Sequence, residues 1–571
     1  MLNPGFIILL AGAALCFGLS RLVPTRTLGL VAALAALLAA GAVALAPAPG
    51  AEQATVEVLS IGGARFTLAP GLAAGERAVA LALLGGGGAA LLGLAGAVAA
   101  AVRGFGTVFA WSLLCLAAVL FSLNAPPLSL FQPQSWSVLA LAGYGALRAS
   151  GTAARSGAPP LGVSFGLAAS ALLMVALLVG GPALAAGGSP AWPAAGAGLL
   201  AALGLAACAP LMNGRDDSTE APALLGALIF GLSAPAAALG WLLRAVAALP
   251  ALPGSWSTML GLVGGLGVLA CGAGALGEQR LRALLGWAWG SQASLVVAAV
   301  GLRGPLAVVA GPSLLLSLML GAVVAAAAAA GVEHHTGSDD YRDGRGAVPR
   351  LVVLAWTLGI LASLGLPPLW GFWGRLWLLT TAQVQQPWLV ALVMAGMVLL
   401  ALALLAPLAA MLTPADATRP RSNWADLAPV GLAGGALLAL GLAPQLAWAH
   451  WPGQLPLAPL QAPIAPVVQG AAVAAGLALL ALGILLVRAR SARTLARDPD
   501  EEAVRLAPEA LGALLQPLAW LARPAPLLHG LWLALQLASE LLRIPVGLFE
   551  QRYYLLGVLG ALITIMLLMA Q

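Results

Sequence analysis

SLGLPPLWGFWGRLWLLTTA, residues 363–382, is the stretch that decides the fold. Two adjacent prolines interrupt an apolar run, glycines fall between tryptophans, and a single arginine, Arg375, follows them. The apolar pattern containing it, residues 350–382, is long enough to cross a bilayer. Pro367-Pro368 must break it, because proline lacks the N–H a helix needs and its ring clashes with the preceding turn. Interrupted backbone at membrane depth persists only where it is packed in protein or lines a wet cavity. An arginine there costs roughly 2.5 kcal/mol or more on insertion scales, so it faces a cavity or a partner, or snorkels to an interface.

The rest of the chain supplies the membrane. Hydrophobic residues make up 61% of it and charged residues 8%, which excludes a soluble domain. Apolar runs of span length predict about sixteen helices, near 4–20, 27–47, 78–102, 105–124, 130–149, 160–186, 191–212, 222–248, 256–277, 280–302, 305–331, 350–382, 388–413, 426–448, 464–489 and 549–570. The first, MLNPGFIILLAGAALCFGLS, has no basic region ahead of it and reads as a span, not a cleaved signal. Cys16, Cys115, Cys208 and Cys271 stand singly, with neither metal nor disulfide spacing. Residues 498–548 mix charges, prolines and apolar residues at helical spacing, as in DPDEEAVRLAPEALGALL, and predict an amphipathic segment along the cytoplasmic face.

Charge alternates between loops. Arg21 and Arg26, Arg103, Arg148 and Arg155, Arg215, Arg280 and Arg282, Arg342 and Arg345, and Arg419 and Arg421 fall on one side, which the positive-inside rule makes cytoplasmic. The N-terminus is then outside. TVEVLSIGGARFTL, residues 55–68, places Gly62-Gly63 between short alternating runs and predicts an outer-face hairpin. A second interrupted span, near 191–212, carries Pro210 in CAPLM. Breaks at matching places in two halves are the sequence sign of an inverted-repeat transport fold.

On these residues the chain resembles a known family. GLPPLWGFWGR (365–375) is similar to the broken twelfth helix of the antiporter-like subunits of respiratory complex I and of Mrp-type cation/proton antiporters. EQRLRALLGWAWGSQASLVVAAVGL (278–302), EAPALLGALIFGLSAPAAALGWLLR (220–244) and FEQRYYLLGVLGAL (549–562) resemble its tenth, eighth and last helices, in the right order. The resemblance implies an all-α polytopic membrane protein of about 14–16 transmembrane helices, with two inverted five-helix repeats and a lateral helix. The expected divisions are 1–104, N-terminal helices with the hairpin; 105–248, first repeat; 256–413, second repeat; 426–489, C-terminal core helices; 498–548, lateral segment; and 549–571, last span. The implied partners are other membrane subunits of a complex I- or Mrp-like assembly and the lipid bilayer, not nucleic acid. The implied location is a bacterial cytoplasmic or thylakoid-type membrane.

The family is expected to move protons through buried acids and lysines along the membrane midline, where desolvation lets a lysine take and release a proton. Carried over by motif, its fifth-helix glutamate falls on Ser137, its seventh-helix lysine on Leu205 and its eighth-helix Lys/His on Phe230. Its eleventh-helix group falls in PSLLLSLMLGAVVAAAAAAG, which has no ionisable residue. Arg375 alone keeps a charge, and a guanidinium does not deprotonate at working pH. All 26 basic residues of the chain are arginine. A simple Lys-to-Arg exchange would have left arginines at these positions, so the relay itself is expected to be largely lost.

The ion-path candidates are therefore Arg375, Ser137, Ser291, Gln292 and the helix-breaking Pro210, Pro367 and Pro368. Ser294 belongs with the polar residues of the tenth helix, which line a path or stitch helices together. Glu278, Arg280 and Arg282 are expected at an interface. Glu333, His334, His335, Asp339 and Asp340 read as a solvated loop whose spacing matches no metal-ligand pattern. Gly85-Gly86-Gly87-Gly88 reads as close helix packing. No nucleotide, haem or iron–sulfur motif is present, so no cofactor is expected and any redox chemistry belongs to other subunits. Three functions stay open: conduction through waters held by serines, Gln292 and Arg375; a scaffold or coupling subunit without an ion path; and a stand-alone carrier of a neutral solute.

Overall fold

The computed structural model describes residues 3–46, 56–61, 64–69, 71–97, 105–150, 161–186, 192–206, 223–248, 254–343, 348–412 and 424–444. All lie within the compact unit Met1–Leu518. Pro210, Cys208, Gly62-Gly63, the lateral segment and the spans expected at 464–489 and 549–570 lie outside the described residues.

Helices α1 (Pro4–Leu19) and α2 (Thr25–Leu45) come first. Asn3 caps α1 by accepting the Gly5 N–H at 2.9 Å, and Pro4 takes the first position, where its missing N–H costs nothing. Strands β1 (Val56–Ile61) and β2 (Ala64–Leu68) pair antiparallel, with Val56 opposite Leu68, as the Gly-Gly turn predicts. Helix α3 (Ala74–Ala97) starts a turn earlier than the apolar run near 78–102 implies. The Glu76 carboxylate accepts the Ala73 N–H at 2.9 Å and so satisfies a free donor of the first turn.

Then follow α4 (Gly106–Asn124), α5 (Phe131–Ala149), α6 (Leu161–Ala186), α7 (Trp192–Ala206) and α8 (Ala223–Ala248). Within α8, Ala227–Ser233 forms a π-helical segment just before Pro235, which cannot donate to the preceding turn. The remaining helices are α9 (Gly254–Leu276), α10 (Leu281–Gly301), α11 (Pro305–Thr336), α12 (Arg350–Leu364), α13 (Gly371–Gln385) and α14 (Pro387–Leu412). Last comes α15, built from Trp424–Pro429, a π-helical Val430–Gly434 and Gly435–Leu442.

Eight of the described helices are long and apolar enough to cross a membrane, and the shorter apolar helices accompany them. The protein is an all-α polytopic integral membrane protein. Burial separates centre from rim. The spans of α8 and α11 are 94% buried, those of α2 and α14 only 44%. Helix α11 is the axis, with α3, α8, α10, α12 and α13 packed around it. Its alanine run lets neighbours approach closely: a Cβ on Gly359 of α12 would lie 3.0 Å from the Ala325 Cα. Gly87 and Gly88 have the packing role expected of them, since a Cβ on either would press on Leu116 or Leu37.

One expectation is corrected. Glu333, His334 and His335 lie in the last turn of α11, not in a loop, because the helix runs on to a left-handed cap at Gly337. Glu333 is also not solvated: both its oxygens accept from Arg282, at 2.7 and 2.8 Å. With the Leu281 N–H donated to the Asp339 carbonyl at 2.8 Å, this pair pins the start of α10 to the end of α11.

Candidate functional site

The twelfth span breaks where the diproline requires. Helix α12 closes with Gly365 at φ +58°, a left-handed conformation that suits glycine. The Gly365 N–H donates to the Ala362 carbonyl at 3.2 Å and the Leu366 N–H to the Leu361 carbonyl at 2.9 Å, the paired bonds of a Schellman end. Pro367 and Pro368 stop the helix and are themselves exposed; α13 starts at Gly371.

Arg375, one turn into α13, reaches back to that helix end and is 4% exposed. Its Nη2 donates to the Ser363 carbonyl at 2.5 Å and its Nη1 to the Gly371 carbonyl at 3.3 Å. The partial negative charge of α12's carboxyl end suits a cation there. Gly365 and Gly371 wall the slot: a Cβ on Gly365 would overlap the guanidinium, and one on Gly371 would overlap the Ser317 hydroxyl. Among the described residues no carboxylate pairs with Arg375, and its Nε has no protein partner.

More unpartnered polar atoms lie in the same half of the chain. Ser313 and Ser317 are one turn apart on α11; Trp289 and Gln292 share a face of α10; Trp370 sits at the break. The two hydroxyls, the Gln292 amide nitrogen and both indole nitrogens are fully buried without a protein hydrogen-bond partner. Ser291 is buried beside Gln292. Buried polar groups are nearly always satisfied, by protein or by water, so such a set marks a place for water.

The first half also has unpartnered buried polar atoms, on Ser112, Gln134 and Trp136, but its carried-over positions are filled. Ser137 on α5 bonds to the Ser170 hydroxyl of α6 at 2.6 Å, and Ser170 donates onward to the Pro133 carbonyl at 2.6 Å. Leu205 and Phe230 are buried in apolar packing.

The sequence reading missed a second buried arginine. Arg244, near the end of α8, donates to the carbonyls of Ser122, Leu123 and Ala125 at the end of α4, at 3.1, 3.0 and 2.8 Å. Its Nε donates to the Gly240 carbonyl at 3.1 Å, and Glu76 lies 3.5 Å away. Gln132 of α5 joins the knot, accepting from the Ser122 hydroxyl and donating to the Ser122 carbonyl. The only sequence cue was that Glu76 and Arg244 both stand near the ends of apolar spans.

Residues 194–401 match the family described as "NADH:quinone oxidoreductase/Mrp antiporter, TM". Over that stretch the chain is similar to the antiporter-like membrane subunits. No curated protein matches it in sequence. Among solved structures, the chain is similar to one in the membrane-bound sulfane sulfur reductase, an archaeal respiratory membrane complex. The TM-score is 0.71 at 16% identity, covering 99% of each chain. The Mrp complex from Dietzia sp. DQ12-45-1b gives 0.65 at 20% identity, over 95% of this chain and 62% of the other. Respiratory complex I from Thermus thermophilus with bound aureothin gives 0.55 at 22% identity, over 78% and 98%. At these identities the likeness is one of fold. The neighbours are subunits of multisubunit membrane complexes.

Proposed function

We propose that this antiporter-like subunit moves protons across the membrane as part of a complex I- or Mrp-type assembly. It does so through a water-filled polar line in its second half, and the usual Glu/Lys relay is largely lost. The observation that carries the reading is Arg375, a buried guanidinium with no acid beside it among the described residues, next to the unpartnered Ser317 hydroxyl of α11, with further unpartnered polar atoms on α10 and α11. Arg375 does not carry the proton. It holds the break in place, and its remaining N–H orients water next to Ser317. Ser313, Ser317 and Gln292 hold further waters, and protons pass by exchange of bonds between them. A dehydrated metal cation would meet a guanidinium and no carboxylate here, which favours protons over sodium. Ser137, Pro367 and Pro368 then act as helix-shaping positions, with the N-terminus on the outer side.

A scaffold or coupling role without an ion path is the second reading. The first half favours it, because at the carried-over positions the Ser137–Ser170 bond is made and Leu205 and Phe230 are buried in apolar packing.

Proton uptake by liposomes carrying the purified assembly separates the two. Arg375→Ala and Gln292→Ala should each lower transport per turnover by about tenfold, the equivalent of one good hydrogen bond, with the assembly intact. Unchanged transport would leave the scaffold reading standing.

A further inference from the structure

A cavity of about 420 Å³ opens where the start of α3, the end of α8, the end of α10 and the start of α11 meet. Val79, Leu123, Leu243, Leu302 and Pro312 line it, and among the described residues the Glu76–Arg244 pair forms its only charged corner. Val308 lines it as well and is 71% exposed, so the mouth lies beside this residue. The volume is that of a small-molecule site.

The lining is graded. Glu76 is in the first turn of α3 and Arg244 lies one turn before the end of α8, both near the ends of apolar spans. Val79 and Pro312 lie about one to two turns deeper, and the deeper wall is apolar. Polar at the helix ends and apolar below is the profile of an amphiphile in one leaflet, not of a soluble solute. The polar corner also selects the headgroup. Arg244 is occupied by four carbonyls and has little left for a phosphate. One Glu76 oxygen accepts the Ala73 N–H, and the other makes only the 3.5 Å ion pair among the described residues. That oxygen can accept from a donor, and its charge repels an anionic head.

We infer that this cavity holds one membrane lipid, its acyl chain against Val79, Leu243 and Pro312 and a cationic donor headgroup, that of an aminophospholipid, at Glu76. The site stands apart from Arg375 and needs no transport to be tested.

Native mass spectrometry of the purified assembly reads it directly, after incubation with equal amounts of phosphatidylethanolamine and phosphatidylglycerol. Wild type should retain one phosphatidylethanolamine in preference to phosphatidylglycerol. Val308→Trp adds bulk at an exposed mouth position and leaves the core untouched; it should cut retention by about tenfold. Glu76→Gln should keep a lipid but lower the preference for phosphatidylethanolamine about tenfold, the loss of a charge-assisted bond. Equal retention in wild type and Val308→Trp would overturn the site, as would a wild type that holds no lipid because a partner's side chain fills the cavity. A preference unaffected by Glu76→Gln would overturn the assignment of the headgroup.

Discussion

Arg244 and Arg375 occupy the same local setting. Each lies against the carboxyl end of a helix that stops just short of a diproline: α4 before Pro126-Pro127, and α12 before Pro367-Pro368. They differ in how completely the setting is filled. Arg244 arrives from a distant helix, meets four carbonyls and has Glu76 alongside, while Trp241 and Gln132 take up the remaining carbonyls of the α4–α5 turn. Arg375 comes from the helix just beyond the break, meets two carbonyls, has no acid among the described residues and leaves its Nε free. Around it the Trp370 indole and the Ser317 hydroxyl are unpartnered too. A buried cation with every bond made is a fastener. One with bonds withheld, next to other unsatisfied groups, is a place where water is held.

The sharpest way to break the comparison is to remove Arg244. Arg244→Ala strands the Glu76 carboxylate and takes a donor from three carbonyls at the end of α4, and breaking a buried pair in this way typically costs about 3–5 kcal/mol. Thermal unfolding of the detergent-solubilised assembly should shift down strongly, and the yield of assembled subunit should fall. Arg375→Ala loses two carbonyl bonds but strands no acid among the described residues, so it should cost less stability than Arg244→Ala while transport drops. If both variants destabilise alike, the distinction between fastener and water-holder fails.

Gly365→Ala should have the next largest effect. The left-handed backbone at φ +58° costs a residue with a side chain roughly 1–2 kcal/mol. The added methyl would also occupy the guanidinium's position. A smaller loss of stability than in Arg244→Ala should therefore come with a loss of transport like that of Arg375→Ala. Stability lost without transport would place the guanidinium outside the path.

What the sequence made legible follows from range. The break at Pro367-Pro368, Arg375 within it and the Gly-Gly hairpin are decided by neighbours in the chain, so their physics can be read locally. The Glu76–Arg244–Gln132 knot brings together α3, α5, α8 and the end of α4, and no local pattern announces it. Ser313 and Ser317 were hidden for another reason. A search for charge passes over hydroxyls, and their importance appears only when burial leaves them without partners. The π segments of α8 and α15 each adjoin a proline, Pro235 and Pro429, whose missing N–H loosens the helix. That cue was in the sequence but was spent on the more conspicuous break.

The smallest expected effect is also the most discriminating, because it sets two serines against each other. Ser317→Ala removes a hydroxyl with no protein partner, so no protein hydrogen bond is lost and stability should hold or rise slightly. If that hydroxyl orders water beside Arg375, transport should still fall several-fold, by loss of one hydrogen bond worth roughly 1 kcal/mol. Ser137→Ala is the converse. It deletes a real 2.6 Å bond to Ser170, so stability should drop by about 0.5–1.5 kcal/mol while transport stays the same. The two variants read together by thermal shift and proton uptake should give opposite signatures, one losing only transport and the other only stability. A swapped result would move the water-filled line into the first half, and matched results would remove the functional difference between the halves.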